Sequence, residues 1–361
     1  VLFRSEFEGI DPLQVQQAPF FQHPIGCGPF MVEEVNMKNY TILAPFDKYY
    51  NGVADYKIQL LPSAGDSDPN VVTRAKSGNL DYGYTKMVAD VQALEGTPGI
   101  TVTPIDVRYT RLFYLNKFDK KDGSPAPLAD VRVRQALRYA IDMETICETL
   151  FQGSAVPANA LAPDANLKGG DLNDYNYNPE KAKELLAEAN WDPNTVIKAV
   201  YYYTDQATVD LMTAVQAYLA DVGIKMEFEL VEGDLATILW AAPADQTNGP
   251  RAVDWDICYA ANAALSLHEY YDRYRTGSPT NSHTPEDAEL NRLIDATNAS
   301  ADVNAQNEAF KELIKYENEN LFTMALYYQP IFLITSDKIG DIQKGTPQFC
   351  INWDIQNWNV Q

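Results

Sequence analysis

The sequence predicts an α/β protein of two domains, on three observations. Strand-like and helix-like segments alternate along most of the chain. Its 361 residues correspond to about two domains at ~150 residues each. A composition of 46% hydrophobic and 11% aromatic residues is that of a chain with packed cores and lies outside the disordered class.

Residues 1–28 read as irregular, rich in Pro, Gln and Phe, and Phe30–Val32 with Tyr40–Leu43 read as an antiparallel strand pair around a polar turn. Tyr56, Ile58 and Leu60 alternate with Lys57, Gln59 and Leu61, which predicts a strand, and Asn70 to Lys76 predicts a short helix stopped by Gly78. Leu80–Tyr84, Ala89–Leu94 and Ile100–Ile105 continue as strand, helix and strand, and Tyr109–Leu115 adds one more strand. The charged, Gly- and Pro-containing stretch Lys117–Leu128 reads as an exposed connection and a domain boundary.

Beyond it, Asp130 is placed to cap a helix with Val133, Leu137, Ala140 and Ile141 on one face; Arg132, Arg134 and Arg138 fall off that stripe and are expected toward solvent or a partner surface. Asn178 at the cap and Pro179 at the first helical position open the next helix, with Ala182, Leu185, Leu186 and Ala189 as its apolar face. Val196–Tyr203, a helix over Ala207–Val222 ended by Gly223, and the alternating Ile224, Met226, Phe228 and Leu230 form a β-α-β unit with a half-buried last strand. A strand is expected over Asp254–Tyr259. One helix is expected to start at Thr284-Pro285-Glu286 and another to carry Phe310, Leu313 and Ile314. From Thr323 the chain returns to β character, with Pro330 marking an edge, a bulge or the gap between two strands.

With 28 Lys+Arg against 50 Asp+Glu, the net charge of −22 repels polyanions, which argues against nucleic acid as a partner. No run reaches the ~18 apolar residues of a membrane span. The four cysteines, Cys27, Cys147, Cys258 and Cys350, form no C-x-x-C; one or two disulfides are compatible with them. His23, His268 and His283 have no metal-ligand spacing, and no phosphate loop, dinucleotide fingerprint or nucleophile elbow occurs, so neither metal nor cofactor is expected. The carboxylate pair Asp254 and Asp256 is read as a solvated strand edge.

What remains in excess is aromatic and amide chemistry near strand ends: Tyr82, Tyr84, Tyr109, Trp255, Tyr259, Asn262, Tyr270 and Tyr271. Rings with one polar tip suit a polar ligand that also has apolar faces, although any one of them serves equally as core packing. Arg111 is a carboxylate clamp or a structural ion pair.

Four collinear stretches carry a resemblance. Pro24-Ile25-Gly26-Cys27-Gly28-Pro29-Phe30 resembles the P-x-G-T-G-P-[FY] signature of family 5 extracellular solute-binding proteins, the peptide- and nickel-type receptors of ABC importers. Val131–Asp142 is similar to that family's V-R-Q-A-[LI]-x-x-A-I-D helix. Tyr177–Ala182 with Leu185-Leu186, and Leu219–Lys225, fit in order.

The resemblance implies a two-lobed periplasmic-binding-protein-like (type II) clamshell. Residues 1–116 and 323–361 belong to lobe I, 117–322 form lobe II, and the crossings at Leu115-Asn116 and Phe322-Thr323 are hinge strands. It also implies that an N-terminal portion of lobe I is missing, that the protein acts outside the cytoplasm as a monomer, anchored through that portion, and that it hands its solute to a membrane permease.

The expected ligand-binding residues are Tyr84, Thr85, Lys86, Tyr109 and Arg111, facing Trp255, Tyr259 and Asn262 across an interlobe cleft. The family's peptide-anchoring Asp has Leu265 at its position and Asn262 at that of the neighbouring Trp, so a free-amino peptide held in the usual way is not expected unless the alignment slips onto Glu269 or Asp272. The readings carried forward are a receptor for a short peptide or similar polar solute, a receptor for an oligosaccharide or other non-peptide solute, a carboxylate-based glycan hydrolase, and a chaperone-like surface protein on the same scaffold.

Overall fold

The computed structural model describes residues 7–10, 18–36, 38–62, 68–105, 109–162, 167–169, 171–263, 267–340 and 354–361. The chain divides into two compact units, Val1–Ile105 with Ile331–Gln361, and Asp106–Pro330. In chain order, β1 (Phe30–Asn36), β2 (Tyr40–Pro45) and β3 (Ile58–Leu60) are followed by α1 (Val71–Lys76), β4 (Tyr82–Thr85), α2 (Val88–Leu94) and β5 (Ile100–Ile105). The second unit runs through β6 (Tyr109–Leu115), α3 (Val131–Ala140), α4 (Met143–Thr149), β7 (Val156–Pro157), α5 (Pro179–Glu188), β8 (Val196–Tyr201), α6 (Gln206–Asp221) and β9 (Lys225–Leu230). It continues with α7 (Leu235–Trp240), β10 (Ile257–Ala263), α8 (Ala288–Ala296), α9 (Val303–Asn320) and β11 (Thr323–Tyr328). The first unit resumes with β12 (Ile331–Ser336), β13 (Ile339–Gly340) and β14 (Asn359–Val360).

In the first unit β1, β2 and β3 form an antiparallel sheet, turned between β1 and β2 at Lys38, whose φ is 86°. The β4-α2-β5 segment leaves a gap that the returning β12 fills, antiparallel to both strands, and Val71, Ala75, Leu94 and Ile334 pack as its small core. Gly78, at φ 72°, follows α1 where a left-handed residue is required.

The second unit is a six-stranded mixed sheet, β7-β11-β6-β10-β8-β9, with helices on both faces. Alternation along β6 explains the layering: Phe113 and Leu115 enter the core beneath α3, α4, α5 and α6, while Leu112 and Tyr114 enter the core beneath α7, α8 and α9. Among the described residues of this unit, the α-helices α3 to α9 are each capped by an acidic or amide side chain. Asp130, Asp142, Asn178, Asp205, Asp234, Asp287 and Asp302 each accept a first-turn backbone N–H, an interaction of about 1 kcal/mol apiece. Part of the carboxylate excess is therefore spent on helix starts.

Several expectations change. β6 and β11, read as hinge strands at the lobe boundaries, lie wholly within the second unit, because they pair with each other and β6 pairs with β10; the division falls at Ile105 and Pro330 instead of at 116 and 322. Pro330 occupies the gap between β11 and β12. The helix expected from Thr284 begins at Ala288, since Asp287 is the cap and Thr284 is buried and held by Asn281. Helices α4 and α7 went unread. Asp256 is buried, paired with Arg251 at 2.7 Å and accepting the Lys198 N–H, so only Asp254 of that pair is solvated.

Arg134 and Arg138 do not face solvent. Both are buried and spend their N–H groups on carbonyls: Arg134 on Leu128, Ala129 and Asn320, the last residue of α9, and Arg138 on Tyr175 and Ala158. A rigid fork of donors can occupy carbonyls that no backbone N–H reaches, which the hydrophobic stripe alone does not reveal. Cys27, Cys147 and Cys258 are free thiols, the latter two buried, and burial pushes Cys147 up to about 12 and Cys258 higher still; Cys350 lies outside the described residues.

Where β6 ends and β11 begins, Lys117 is buried and its Nζ donates to Leu115 O (2.5 Å) and Phe322 O (2.7 Å), tying the two strands together. Glu317 of α9 is buried on the same side, and burial pushes its carboxyl up to about 8, against the opposing pull of the Thr323 N–H and Lys117. The folded chain holds on to a proton there that the unfolded chain, with the ordinary value of 4.5, releases. This contribution to stability is full below pH 4.5 and lost as pH rises toward 8. Glu317→Gln, which keeps an acceptor without a charge, is expected to gain on wild type by on the order of 4 kcal/mol between pH 4 and pH 8.5, as read by urea denaturation at the two pH values.

Candidate functional site

The carboxyl ends of the parallel strands β8 and β10 share a sheet edge with the start of β6 and the end of β11, the edge at which ligands bind in many open α/β sheets. Register decides which side chains meet there. Arg111 lies opposite Ala261 of β10 and Tyr327 of β11, and Tyr259, two residues before Ala261, projects from the same face. The Arg111 guanidinium is packed against three rings, with centroid distances of 4.3 Å to Tyr203, 5.1 Å to Tyr109 and 5.8 Å to Tyr259. The hydroxyls of Tyr259 and Tyr327 are 2.7 Å apart, and those of Tyr202 and Tyr203 3.0 Å apart.

Burial penalises the Arg111 charge, but Tyr259, Tyr327, Tyr203 and Tyr109 together outweigh it and hold the guanidinium well above its ordinary value. Burial likewise raises the phenols, Tyr202 to about 12 and Tyr203, Tyr259 and Tyr327 further. The cluster is therefore a permanent cation in an aromatic frame of neutral hydroxyls. It can recognise planar anions and hydrogen-bonding groups. Among the described residues no group of three or more His, Cys, Asp or Glu is arranged to hold a metal ion.

The structure brings together Tyr109, Arg111 and Tyr259 of the eight expected ligand residues. Tyr203, Tyr202 and Tyr327 complete the cluster and were not singled out; the signal for Tyr203 was its place just beyond the carboxyl end of a strand in a β-α-β unit. Trp255 is elsewhere, buried before β10 among Tyr114, Tyr274 and His283 on the other face of the sheet. Asn262, next to Ala261, also points to that other face and donates to the Tyr270 carbonyl at 3.0 Å. Leu265, at the position of the family's anchoring Asp, lies outside the described residues.

Tyr84, Thr85 and Lys86 belong to the first unit. Tyr84 is exposed and Lys86 half-buried, whereas Thr85 is buried, donating to Asp90 Oδ2 at 2.6 Å and accepting the Met87 N–H, so its hydroxyl secures the start of α2.

Residues 8–284 match the family model described as bacterial extracellular solute-binding proteins, family 5 Middle. The chain belongs to this family. Among curated relatives it is 27% identical over 274 residues to the oligopeptide-binding protein AppA of Bacillus subtilis, covering 70% of this chain and 46% of that one. It is 29% identical over 172 residues to heme-binding protein A of Haemophilus influenzae, covering 47% and 30%. The match thus spans less than half the length of these relatives.

Among solved structures, lactococcal OppA complexed with an endogenous peptide superposes with a TM-score of 0.80 at 17% identity, over 99% of this chain and 69% of that one. NikZ of Campylobacter jejuni in complex with Ni(L-His) gives 0.75 at 16%, over 98% and 72%. The fold is the two-lobed α/β fold of the family 5 binding proteins. Among the described residues no helix is long and apolar enough to cross a membrane.

The stacking on Arg111 is testable without a ligand. Tyr203→Phe keeps the ring against the guanidinium and is expected to cost under about 1 kcal/mol, whereas Tyr203→Leu removes a desolvated cation–ring contact and is expected to cost about 2 kcal/mol more. Urea denaturation of the two variants reads the difference.

Proposed function

We propose that this protein is the solute-capturing receptor of an ABC importer, working outside the cytoplasm and tethered at the membrane. Its two lobes close around a small polar solute, which it passes unaltered to a permease. The observation that carries this reading is the family match along residues 8–284. The relatives named for oligopeptide and heme binding support capture of a solute as the common task while differing in what they capture. In this reading Tyr109, Arg111, Tyr203 and Tyr259 of the second lobe contact the solute, with closure drawn by contacts available only when both lobes touch the guest. A fixed guanidinium among phenols favours a solute with a carboxylate and apolar faces, such as a short peptide held by its C-terminal end, over a neutral oligosaccharide.

Native mass spectrometry of the purified protein, followed by calorimetric titration with short peptides and with oligosaccharides, tests it. A peptide or similar carboxylate solute is expected to bind and to be recovered with unchanged mass. Arg111→Gln is expected to weaken binding at least tenfold, the loss of one charge-assisted contact of about 1.5–3 kcal/mol. Saturable binding of oligosaccharides alone would move the solute class, and no binding of either would overturn the receptor reading. Membrane fractionation of producing cells tests the tether.

A further inference from the structure

Residues 281–284 form an interior polar segment of the second unit: Asn281, Ser282, His283 and Thr284 are all buried. Its backbone and amide groups are well used. Ser282 Oγ donates to Leu239 O, Asn281 bridges the Thr284 N–H and C=O, Asn116 Nδ2 donates to Ser282 O at 3.3 Å, and the Lys117 N–H donates to His283 O at 2.9 Å. The last two contacts fasten this segment to the residues that leave β6.

The His283 ring is the exception. Neither ring nitrogen has a hydrogen-bond partner among the described residues, nor does Thr284 Oγ1 next to it. The ring sits edge-on to Tyr114 at 4.9 Å and Tyr274 at 5.1 Å, with Trp255 tilted at 6.4 Å.

The basic groups around this ring oppose a charge on it. Arg273, beside Tyr274, and Lys117, following β6, both act against it, although burial and Arg134 hold the Lys117 ammonium itself well below the ordinary lysine value; Tyr114 of β6 and Tyr274 are phenols kept protonated by burial. Arg273 is stacked on Trp240 of α7 at 4.2 Å. The acidic groups on neighbouring elements are engaged elsewhere: Glu317 of α9, kept protonated by burial, lies by Lys117 and accepts from the Thr323 N–H, and the Asp256 carboxylate pairs with Arg251. An imidazolium here would carry two N–H donors that have no partner among the described residues, in buried surroundings beside Lys117 and Arg273.

We propose that His283 is an acid-operated latch of the second unit: proton uptake by its ring expels residues 281–284 from the end of β6 and opens the core on that face of the sheet. Burial first, then Lys117 and Arg273, hold the ring well below the ordinary histidine value of 6.5. The unfolded chain therefore binds a proton that the folded chain refuses, so stability is full above pH 6.5 and falls as pH drops below it, by up to about tenfold in the folded-to-unfolded ratio per pH unit. Glu317 acts in the opposite sense, so the latch is read as a difference between proteins that share Glu317.

Urea denaturation of wild type and His283→Phe between pH 7.5 and 5, with amide hydrogen exchange at Lys117, tests the latch. Relative to the variant, wild type is expected to lose several-fold to tenfold in folded-to-unfolded ratio per unit below about pH 6.5. After correction for intrinsic rates, the Lys117 amide is expected to exchange faster at pH 5 in wild type only. The same pH dependence in both proteins overturns the proposal. Should the Phe variant fail to fold, the ring resonances of the three histidines in wild type decide. A His283 signal that stays neutral until the unit opens supports the latch, and one that titrates near pH 6.5 in the folded protein overturns it.

Discussion

The second unit depends on one strand that is covered everywhere. β6 is hydrogen-bonded along both edges, to β10 and β11, and from Thr110 to Leu115 every side chain is buried. Its apolar residues feed two cores in alternation, each worth roughly 1.5–3 kcal/mol when fully buried, so a slip of one residue would exchange the two cores and is strongly disfavoured. That rigidity sets the positions of the groups at its two ends. Arg111 meets the tyrosines of β10, β11 and the β8 exit at one, and Lys117 meets the carbonyls of β6 and β11 at the other.

Buried basic side chains recur through this unit, held in three ways. Arg134 and Arg138 are absorbed by carbonyls, Lys117 by two strand-end carbonyls, Arg251 by the Asp256 carboxylate and Arg111 by aromatic faces. Using carbonyls at helix and strand ends lets a guanidinium join distant segments without drawing a carboxylate into the core. It also withdraws positive charge from the surface of a chain whose net charge is already −22, leaving the exterior more acidic than the composition suggests.

Much of the architecture was legible in the sequence because it rests on local signals. Asn178-Pro179 and Asp130 start their helices, Gly78 follows α1 as expected, and the β-forming run of β8 and the period-two run of β9 are parallel neighbours across α6. What escaped depends on tertiary context. Helix α4 is too short to show a period, the burial of Arg134 depends on the end of a helix far along the chain, and the assignment of β6 and β11 to one unit follows from pairing that no local pattern encodes. In the candidate site, Arg111 and its flanking Tyr109 were legible as a charged and an aromatic residue on a strand. Tyr327 was not, because an irregularity after Ala325 sets it opposite Arg111. Trp255 resembled its aromatic neighbours in sequence, but it precedes β10 and packs with Tyr114, Tyr274 and His283 in the core on the far face.

The two thiols buried in this unit, Cys147 and Cys258, acquire a use from their surroundings. Cys147 belongs to the core on one side of the sheet and Cys258 to the core on the other, and a thiol kept protonated and covered is a poor nucleophile toward alkylating reagents. Each layer thus carries its own native covalent reporter. Labelling confined to one sulfur would show which layer separates first when the sheet begins to come apart.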